Sequence, residues 1–260
     1  MDVGGRRPEI SLPDASTESI GEVRPRLRTM SLRMTRTPLQ NRVDPWGRLV
    51  SVAARGTLIG NRGILHDGDG RIVRPWKGKA WIACALQWKD RQRSPFTPGT
   101  WTELFFLDEA TAFAAGHRPC KLCRRARHLE FKQAWLVANR ELVAGADPSI
   151  AEIDRLLHDE RALRGGGKRT FRTAVAGLPD GTFIEHGGRA LMRWNGRFLE
   201  WSFDGYRTAD ACFDARQPVT VLTPPSVVRM YASGFRPGVH ATAASDSADP
   251  RIGIDVRQRG

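Results

Sequence analysis

The Cys-x-x-Cys pair formed by Cys120 and Cys123 is the sequence feature that most limits how this chain can fold. Two intervening residues let both sulfur atoms turn toward one point about 2.3 Å away, and this spacing recurs in tetrahedral zinc sites. A knuckle closed around a metal ion also holds the flanking elements in one arrangement. The pair therefore predicts a zinc ion (Zn2+) bound near the middle of the chain.

A tetrahedral site needs two further ligands, or one ligand and an open position. We predict Cys84 as the third ligand, because the apolar strand over residues 80–86 is expected to pair with the strand over 102–106 that leads into the knuckle. The candidates for the fourth ligand are His117, His128 and Cys212. Spacing does not decide among them, and His128, about one helical turn beyond Cys123, is the candidate that we carry forward.

The order of the predicted elements indicates an α+β protein with a central zinc knuckle, two following helices and a C-terminal antiparallel β region. Asp108 is a good N-cap for a helix over residues 109–115, and Gly116 is suited to end it. A longer helix is expected from residue 124 to about residue 144, because its apolar residues recur at helical spacing.

Beyond the knuckle, Ser149 is suited to cap a further helix. From residue 171 the pattern becomes antiparallel β, and Asn195-Gly196 is a strong hairpin signal. We expect four regions: a disordered basic arm over 1–36, a zinc-knuckle domain with its following helix over 37–146, a helix and antiparallel β region over 147–240, and a disordered tail over 241–260. Met30 and Met34 are alternative starts to Met1.

The charge balance favours a polyanionic partner. The chain has 41 Lys and Arg against 28 Asp and Glu, for a formal net charge of +13. Nucleic acid repays such a charge through counterion release, so we expect binding to nucleic acid, DNA in the first place. The candidate phosphate-binding residues around the knuckle are Arg118, Lys121, Arg124, Arg125, Arg127 and Lys132. Candidate stacking surfaces for unpaired bases are Trp76, Trp81, Trp88 and Trp101.

Composition also predicts the setting of the protein. No apolar run approaches the roughly 18 residues that a membrane-spanning helix needs. The first residues lack the continuous apolar region of a secretory signal. Four cysteines in a chain of 260 residues do not form a secreted disulfide scaffold. We therefore expect a protein of a bacterial-type cytoplasm, either free or associated with the nucleoid, without a membrane partner.

The segment from residue 104 to residue 124 resembles a known family. Its Leu-Phe-Phe strand, its Ala-rich helix and its Gly-His-Arg-Pro-Cys-Lys-Leu-Cys-Arg run resemble the second half of the zinc-binding, methylphosphotriester-type domain of Ada-type alkylation-response proteins. That resemblance implies a zinc-binding, DNA-binding domain in which one thiolate accepts a methyl group, a role that would fall to Cys84. Upstream, where the family has a second cysteine pair, this chain has Cys84 alone.

Three classes of function remain open from sequence. The first is a nucleic-acid-binding protein with structural zinc. The second is an enzyme: a repair protein that uses the Cys84 thiolate, or a nuclease for which His66, Asp67 and Asp69 are the nearest acid and imidazole group. The third is a non-enzymatic interaction module in the aromatic C-terminal β region. Salt dependence separates them, because only phosphate binding weakens steeply as salt rises.

Overall fold

Two six-stranded β-sheets, with helices packed between and beside them, form the framework of the protein. The computed structural model describes Met1 and residues 37–89 and 94–245. Apart from Met1, the arm predicted over residues 1–36 lies outside the described residues, as does the predicted tail over 241–260 from residue 246 onward. The predicted α+β class is confirmed.

The first sheet leads into the turn with Cys120 and Cys123, for which the sequence predicts a knuckle. Its strands are β1 (Gln40–Val43), β2 (Leu49–Ser51), β3 (Leu58–Asn61), β4 (Ile82–Ala85), β5 (Leu104–Phe106) and β6 (Arg118–Pro119). They lie in the order β2-β1-β5-β3-β4-β6. The β1/β5 and β4/β6 pairs are parallel, and the other neighbours are antiparallel.

The predicted pairing of the strand around Cys84 with the strand at 104–106 is wrong, because β3 lies between them. Ile59 of β3 is opposite Cys84 on one side and opposite Phe105 on the other. Gly60 permits this close insertion, since a Cβ atom at this position would lie 2.1 Å from the carbonyl oxygen of Ile82. The strand β4 instead reaches the knuckle through its parallel partner β6.

Helix α1 (Glu109–Ala114) is buried along its whole length. The Asp108 carboxylate accepts a hydrogen bond from the backbone N–H of Thr111 at 2.8 Å, so the predicted N-cap is confirmed. Gly116 has φ +88°, the left-handed conformation that ends a helix and favours glycine. The small side chains of α1 let both sheets pack closely against it: Ala112 joins the core of the first sheet, and Ala110 joins that of the second.

Helices α2 (Arg125–Ala138) and α3 (Ile150–Arg161) follow the knuckle, with a 3-10 turn at Arg140–Leu142 between them. The second helix ends earlier than its apolar pattern predicts. Asn139 leaves the helical conformation, and its side-chain amide donates hydrogen bonds to the carbonyl oxygens of Trp135 and Ser226 at 2.8 and 3.0 Å. Side-chain hydrogen bonding of this kind competes with continuation of a helix.

The second sheet is antiparallel throughout. Its strands are β7 (Phe171–Ala174), β8 (Phe183–His186), β9 (Arg189–Trp194), β10 (Arg197–Ser202), β11 (Gly205–Thr208) and β12 (Pro218–Val221), in the order β11-β10-β9-β8-β12-β7. Asn195 and Gly196 have φ values of +48° and +80°, so the predicted hairpin between β9 and β10 is confirmed. A 3-10 turn at Val175–Gly177 and helices α4 (Pro225–Ala232) and α5 (Thr242–Ser245) complete the elements.

The described residues from Thr37 onward belong to one compact unit, so the boundary predicted between residues 146 and 147 falls inside it. One apolar cluster joins both sides of that boundary through Phe113, Phe131, Ile153 and Met230. Ala243 is fully buried against the second sheet, so the start of the predicted tail is part of the fold. No described helix has the length and apolar character needed to span a membrane.

Candidate metal centre

Three cysteines, distant or adjacent in sequence, come together at one end of the first sheet. The Sγ atoms of Cys84, Cys120 and Cys123 all lie within 4.8 Å of one another. Parallel pairing of β4 with β6 brings them together, because the backbone N–H of Cys120 donates to the carbonyl oxygen of Ala83 at 2.9 Å. Cys84 follows Ala83 in β4, and Cys120 directly follows β6. The three cysteines predicted as ligands are therefore close enough to hold one metal ion.

The spacing of these sulfur atoms fits a tetrahedral thiolate centre. Zinc–sulfur bonds of about 2.3 Å at tetrahedral angles place two sulfur atoms roughly 3.8 Å apart. The three Sγ atoms lie within 4.8 Å of one another, a limit that includes this separation. Within the described part of the chain, no fourth Cys, His, Asp or Glu ligand atom joins the group. The described residues thus offer three candidate ligands, which is the number found in zinc sites that keep an open position.

Hydrogen bonds and mutual repulsion give the three thiols different pKa values. A hydrogen bond from Cys84 lowers the pKa of Cys120 to about 4, and the same bond, with burial, raises the pKa of Cys84. Burial also raises the pKa of Cys123, although the backbone N–H of Ala85 donates to its sulfur at 3.4 Å. The cluster by itself therefore favours one thiolate beside two thiols. A bound cation is what would make three thiolates favourable at this spacing.

The other predicted ligands lie elsewhere. His128 is buried, with its Nδ1 3.1 Å from the carbonyl oxygen of Pro119, and it is not part of the sulfur group. His117 is also buried, where its Nε2 accepts a hydrogen bond from Arg62. Cys212 is an exposed free cysteine outside the cluster.

An open cleft with a volume of about 260 Å³ adjoins the cysteines. Its apolar walls include Ile59, Phe105, Trp88 and Trp101, and Cys84 contributes to its lining. Two of the four predicted stacking tryptophans therefore stand beside the sulfur cluster. The other two, Trp76 and Trp81, line a different cavity. The arrangement can place a flat or apolar group next to the thiols.

Acidic partners engage four of the six predicted phosphate-binding cations. Arg118 is buried and forms a bidentate pair with Asp154, at 2.6 and 2.7 Å. Arg124 and Arg127 both bind the carboxylate of buried Glu109. Lys132 binds Asp147 at 2.6 Å.

Lys121 and Arg125 differ from these four. Both are exposed, and no ion pair is recorded for either within the described residues. They flank the cleft entrance in sequence, because Leu122 and Cys123 between them line it. The basic surface predicted at the knuckle is therefore reduced to these two cations near the cleft.

Glu109 explains why the cationic start of α2 is tolerated. Its carboxylate also accepts from the backbone N–H of Gly238 at 2.9 Å, so it joins α1, α2 and the C-terminal segment. Burial raises the pKa of Glu109, but the hydrogen bonds and charges of Arg127 and Arg124 outweigh burial and hold it below its usual value. Arg124 and Arg127, both predicted to bind phosphate, therefore already have an anionic partner within the fold.

Among the residues considered for a nuclease site, the histidine has a structural role. His66 is buried, its Nδ1 lies 2.7 Å from the Thr102 hydroxyl, and its ring stacks on Phe96 at 4.8 Å. Asp67 accepts backbone hydrogen bonds from Asp69 and Arg71 within an exposed turn. A turn of this composition is ordinary backbone chemistry.

Sequence reasoning missed the acidic partners Glu109 and Asp154. A usable signal existed for the second: Asp154, His158 and Arg161 recur at helical spacing beside the buried Ile153 and Leu157 of α3. Charged groups on the apolar face of a helix indicate buried partners.

Neither the family models, nor the curated proteins, nor the solved structures contain a significant match to this chain.

Proposed function

We propose that the protein is a zinc-binding, nucleic-acid-binding protein, in which the metal has a structural role and the partner is DNA or RNA with unpaired bases. The observation that carries the proposal is the meeting of three cysteine sulfur atoms within 4.8 Å beside an aromatic cleft. Soft thiolate ligands at tetrahedral spacing suit zinc. When bound, zinc would supply the positive charge that keeps all three thiols ionised.

The structural role of the metal follows from where its ligands lie. Cys84 lies within the strand β4, whereas Cys120 and Cys123 lie in the turn between β6 and α2. Strand β6 has only two residues, and its pairing with β4 provides few backbone hydrogen bonds. Three bonds to one ion would hold this short strand and the start of α2 against the sheet, and metal binding would then stabilise folding.

The cleft and its two exposed cations supply the nucleic-acid proposal. Trp88, Trp101 and Phe105 offer aromatic surface, and stacking on such side chains contributes about 1–3 kcal/mol per base. Lys121 and Arg125 stand close by in sequence for contacts to phosphates on either side of a stacked base. The net charge of +13 adds a long-range attraction to any polyanion.

Metal content tests the first part. Freshly purified, reduced wild type is expected to contain about one zinc ion per chain by mass spectrometry of the metal. The Cys120→Ser, Cys123→Ser double variant should lose it. Cys212→Ser is the matched control, because this exposed cysteine lies outside the cluster. Metal-free wild type, or a double variant with unchanged zinc, would contradict the proposal.

Nucleic-acid binding is tested by fluorescence anisotropy with labelled single-stranded and duplex oligonucleotides over a range of salt. If Lys121 and Arg125 each contact a phosphate, replacing both with Gln should lower the slope of log K against log salt by about 1.4–1.8. Arg172→Gln with Arg216→Gln removes the same charge from exposed positions elsewhere and is the control. Binding that is absent, or equally salt-dependent in both double variants, would count against the assignment.

A second candidate rests on the place of Cys84 beside the cleft. Cys84 lines the cleft, so a methyl group on a phosphotriester placed there could meet its sulfur. The thiolate would attack the methyl carbon, a new S–C bond would form as the C–O bond breaks, and the phosphodiester oxygen would leave with the electron pair. Treatment with methylated DNA should then add one methyl group to Cys84, detected by peptide mass spectrometry. Cys84 that remains unmethylated after prolonged treatment with the methylated DNA would exclude this activity.

A further inference from the structure

A second cavity, with a volume of about 400 Å³, shares no lining residue with the cysteine cleft. It lies beside the turn between β1 and β2, the start of β4 and the end of α3. Trp81 lines it, three positions before Cys84, and alternation along a strand turns side chains three apart to opposite faces of a sheet. The cavity is therefore separate from the candidate metal centre.

Five cations line this cavity, and none of its lining residues is acidic. They are Arg48, Arg62, Arg74, Arg161 and Lys168. Arg62 and Arg161 are almost completely buried, and their guanidinium groups each lie over the ring of Trp81, at 4.1 and 4.2 Å from its centroid. Two buried guanidinium groups beside one indole are costly unless negative charge compensates them.

The hydrogen-bond partners of the three inner cations are neutral. Arg62 donates to the carbonyl oxygen of Gly47 at 2.9 Å and to His117. Arg161 donates to the carbonyl oxygens of Gly116 and Lys79, and Lys168 donates to that of Ala114.

The carboxylates near these cations have other partners. The charges of Asp154 and Glu160 act on Arg161, but Asp154 pairs with Arg118, and Glu160 accepts from the Ser226 hydroxyl. Asp44 is buried nearby, but its oxygens accept hydrogen bonds from Arg48 at 2.6 and 2.9 Å. Because Asp44 pairs with Arg48, its charge offsets only part of that on Arg62 and Lys168, and among the described residues no carboxylate accepts a hydrogen bond from the three inner cations.

Donor atoms are also left over. The Nη2 of Arg62 and the Nε of Arg161 are buried without a hydrogen-bond partner among the described residues. Buried polar groups in native proteins are nearly always hydrogen-bonded, so each such donor needs an explanation.

We propose that this cavity binds a phosphate monoester, with the phosphate on Arg62, Arg161 and Lys168 and the organic part of the ligand against Trp46 and Trp76. A dianionic phosphate matches three inner cations better than a single carboxylate does, and guanidinium groups bind its oxygens in a fork. The tryptophans and the apolar Leu49, Ile72 and Pro75 suit a flat or apolar body. The volume lies in the usual range of small-molecule sites.

The protonation of the inner cations agrees with this assignment. Burial lowers the pKa of Lys168 to about 7 and that of Arg62 to about 9, and the charge of Arg161 contributes to the shift at Lys168. Burial and the adjacent cations also hold His117 well below its usual pKa, so the imidazole that accepts from Arg62 is neutral. A bound dianion would favour the charged forms of all three cations.

The ligand chemistry has two sources: a free small molecule, such as a nucleoside monophosphate, or the terminal phosphate of a nucleic-acid strand. Isothermal titration calorimetry on the full chain at pH 7 uses inorganic phosphate, adenosine monophosphate and adenosine as probes. Phosphate and the monophosphate should bind, and adenosine should not. Competition by a 5′-phosphorylated oligonucleotide, but not by its 5′-hydroxyl form, would assign the site to strand ends; competition by neither would assign it to the free molecule.

Variants connect binding to these residues. Arg62→Gln should weaken the monophosphate at least about tenfold, the usual result of losing a charged hydrogen bond. Because Arg62 is buried, Lys168→Gln and the exposed Arg74→Gln serve as further variants that disturb packing less. Arg216→Gln, at an exposed position in the loop before β12 and outside the cavity lining, should bind like wild type.

Two results would overturn the proposal: no binding of phosphate or the monophosphate by the wild-type chain, or equal affinity in all variants. The site does not depend on zinc, so the Cys120→Ser, Cys123→Ser variant should retain binding if it folds. Loss of zinc with retained phosphate binding would contradict the proposed metal centre alone. Loss of phosphate binding in Lys168→Gln with intact zinc would support this site alone.

Discussion

The buried pair between Arg118 and Asp154 gives the sharpest stability prediction, because it joins the strand before the knuckle to helix α3. The two side chains are each only 6% exposed, and the guanidinium binds both carboxylate oxygens, at 2.6 and 2.7 Å. Asp154→Ala leaves the Arg118 charge buried with the carbonyl oxygen of Pro119 as its recorded partner. Removing one partner of such a pair costs about 3–5 kcal/mol.

For a folded unit of this size, 1 kcal/mol changes the melting temperature by about 2–4 °C. The expected fall for Asp154→Ala is therefore roughly 6–20 °C by calorimetry in zinc-containing buffer. Arg118→Met with Asp154→Leu should recover much of the loss, since it removes both charges and keeps side-chain volume.

Asp159→Ala, at an exposed position of the same helix, is the matched control and should stay within about 0.5 kcal/mol of wild type. A loss below about 1 kcal/mol for Asp154→Ala would refute the reasoning. That value is typical of a solvent-exposed ion pair, and it would mean that water reaches Arg118.

Three further perturbations test other parts of the fold. At Gly116, φ is +88°, and the new Cβ atom of Gly116→Ala would lie 2.3 Å from Arg161 Cδ. This variant should lower the melting temperature more than Gly145→Ala, where φ is +74° but nothing lies within 4 Å of the new atom. An equal loss in both variants would exclude the steric contribution. Glu109→Gln should destabilise the chain at neutral pH. Because the pKa of Glu109 is held low, the difference in melting temperature from wild type should shrink as pH falls through that pKa. A difference that stays constant with pH would show that the charge of Glu109 is not its cause. Burial lowers the pKa of Lys168 to about 7, from about 10.4 in unfolded chains, so the contribution of Lys168 to stability rises with pH between these values. Lys168→Met should remove that rise in thermal melts at pH 7–10. An unchanged rise would mean that another group causes it.

The sequence predicted those features that depend on neighbouring residues. The Cys120 and Cys123 spacing, the Asp108 cap and the Asn195-Gly196 turn involve atoms only a few residues apart, so local geometry is enough to recognise them. The same holds for the α+β class, because helical and strand periods are local patterns.

Partners that come from distant parts of the chain were harder to predict. Cys84 was predicted as the third ligand through a strand pairing that does not exist; it reaches the cluster because β4 pairs with β6. The cations at the knuckle read as a free basic surface, although Glu109 and Asp154 engage three of them. The number of these cations is visible in the sequence, but the packing of the fold determines which acidic groups they contact.

The sequence by itself determined where a Cys-x-x-Cys turn, a helix cap and a hairpin would form, together with a strongly basic charge. Only the tertiary structure decided that Cys84 would lie beside Cys120 and Cys123, that Lys121 and Arg125 would remain exposed near them, and that other cations would line a separate cavity. The physical reason is that local backbone preferences extend over a few residues. Burial and charge pairing, by contrast, depend on which strands and helices become neighbours, and those neighbours are distant in the chain.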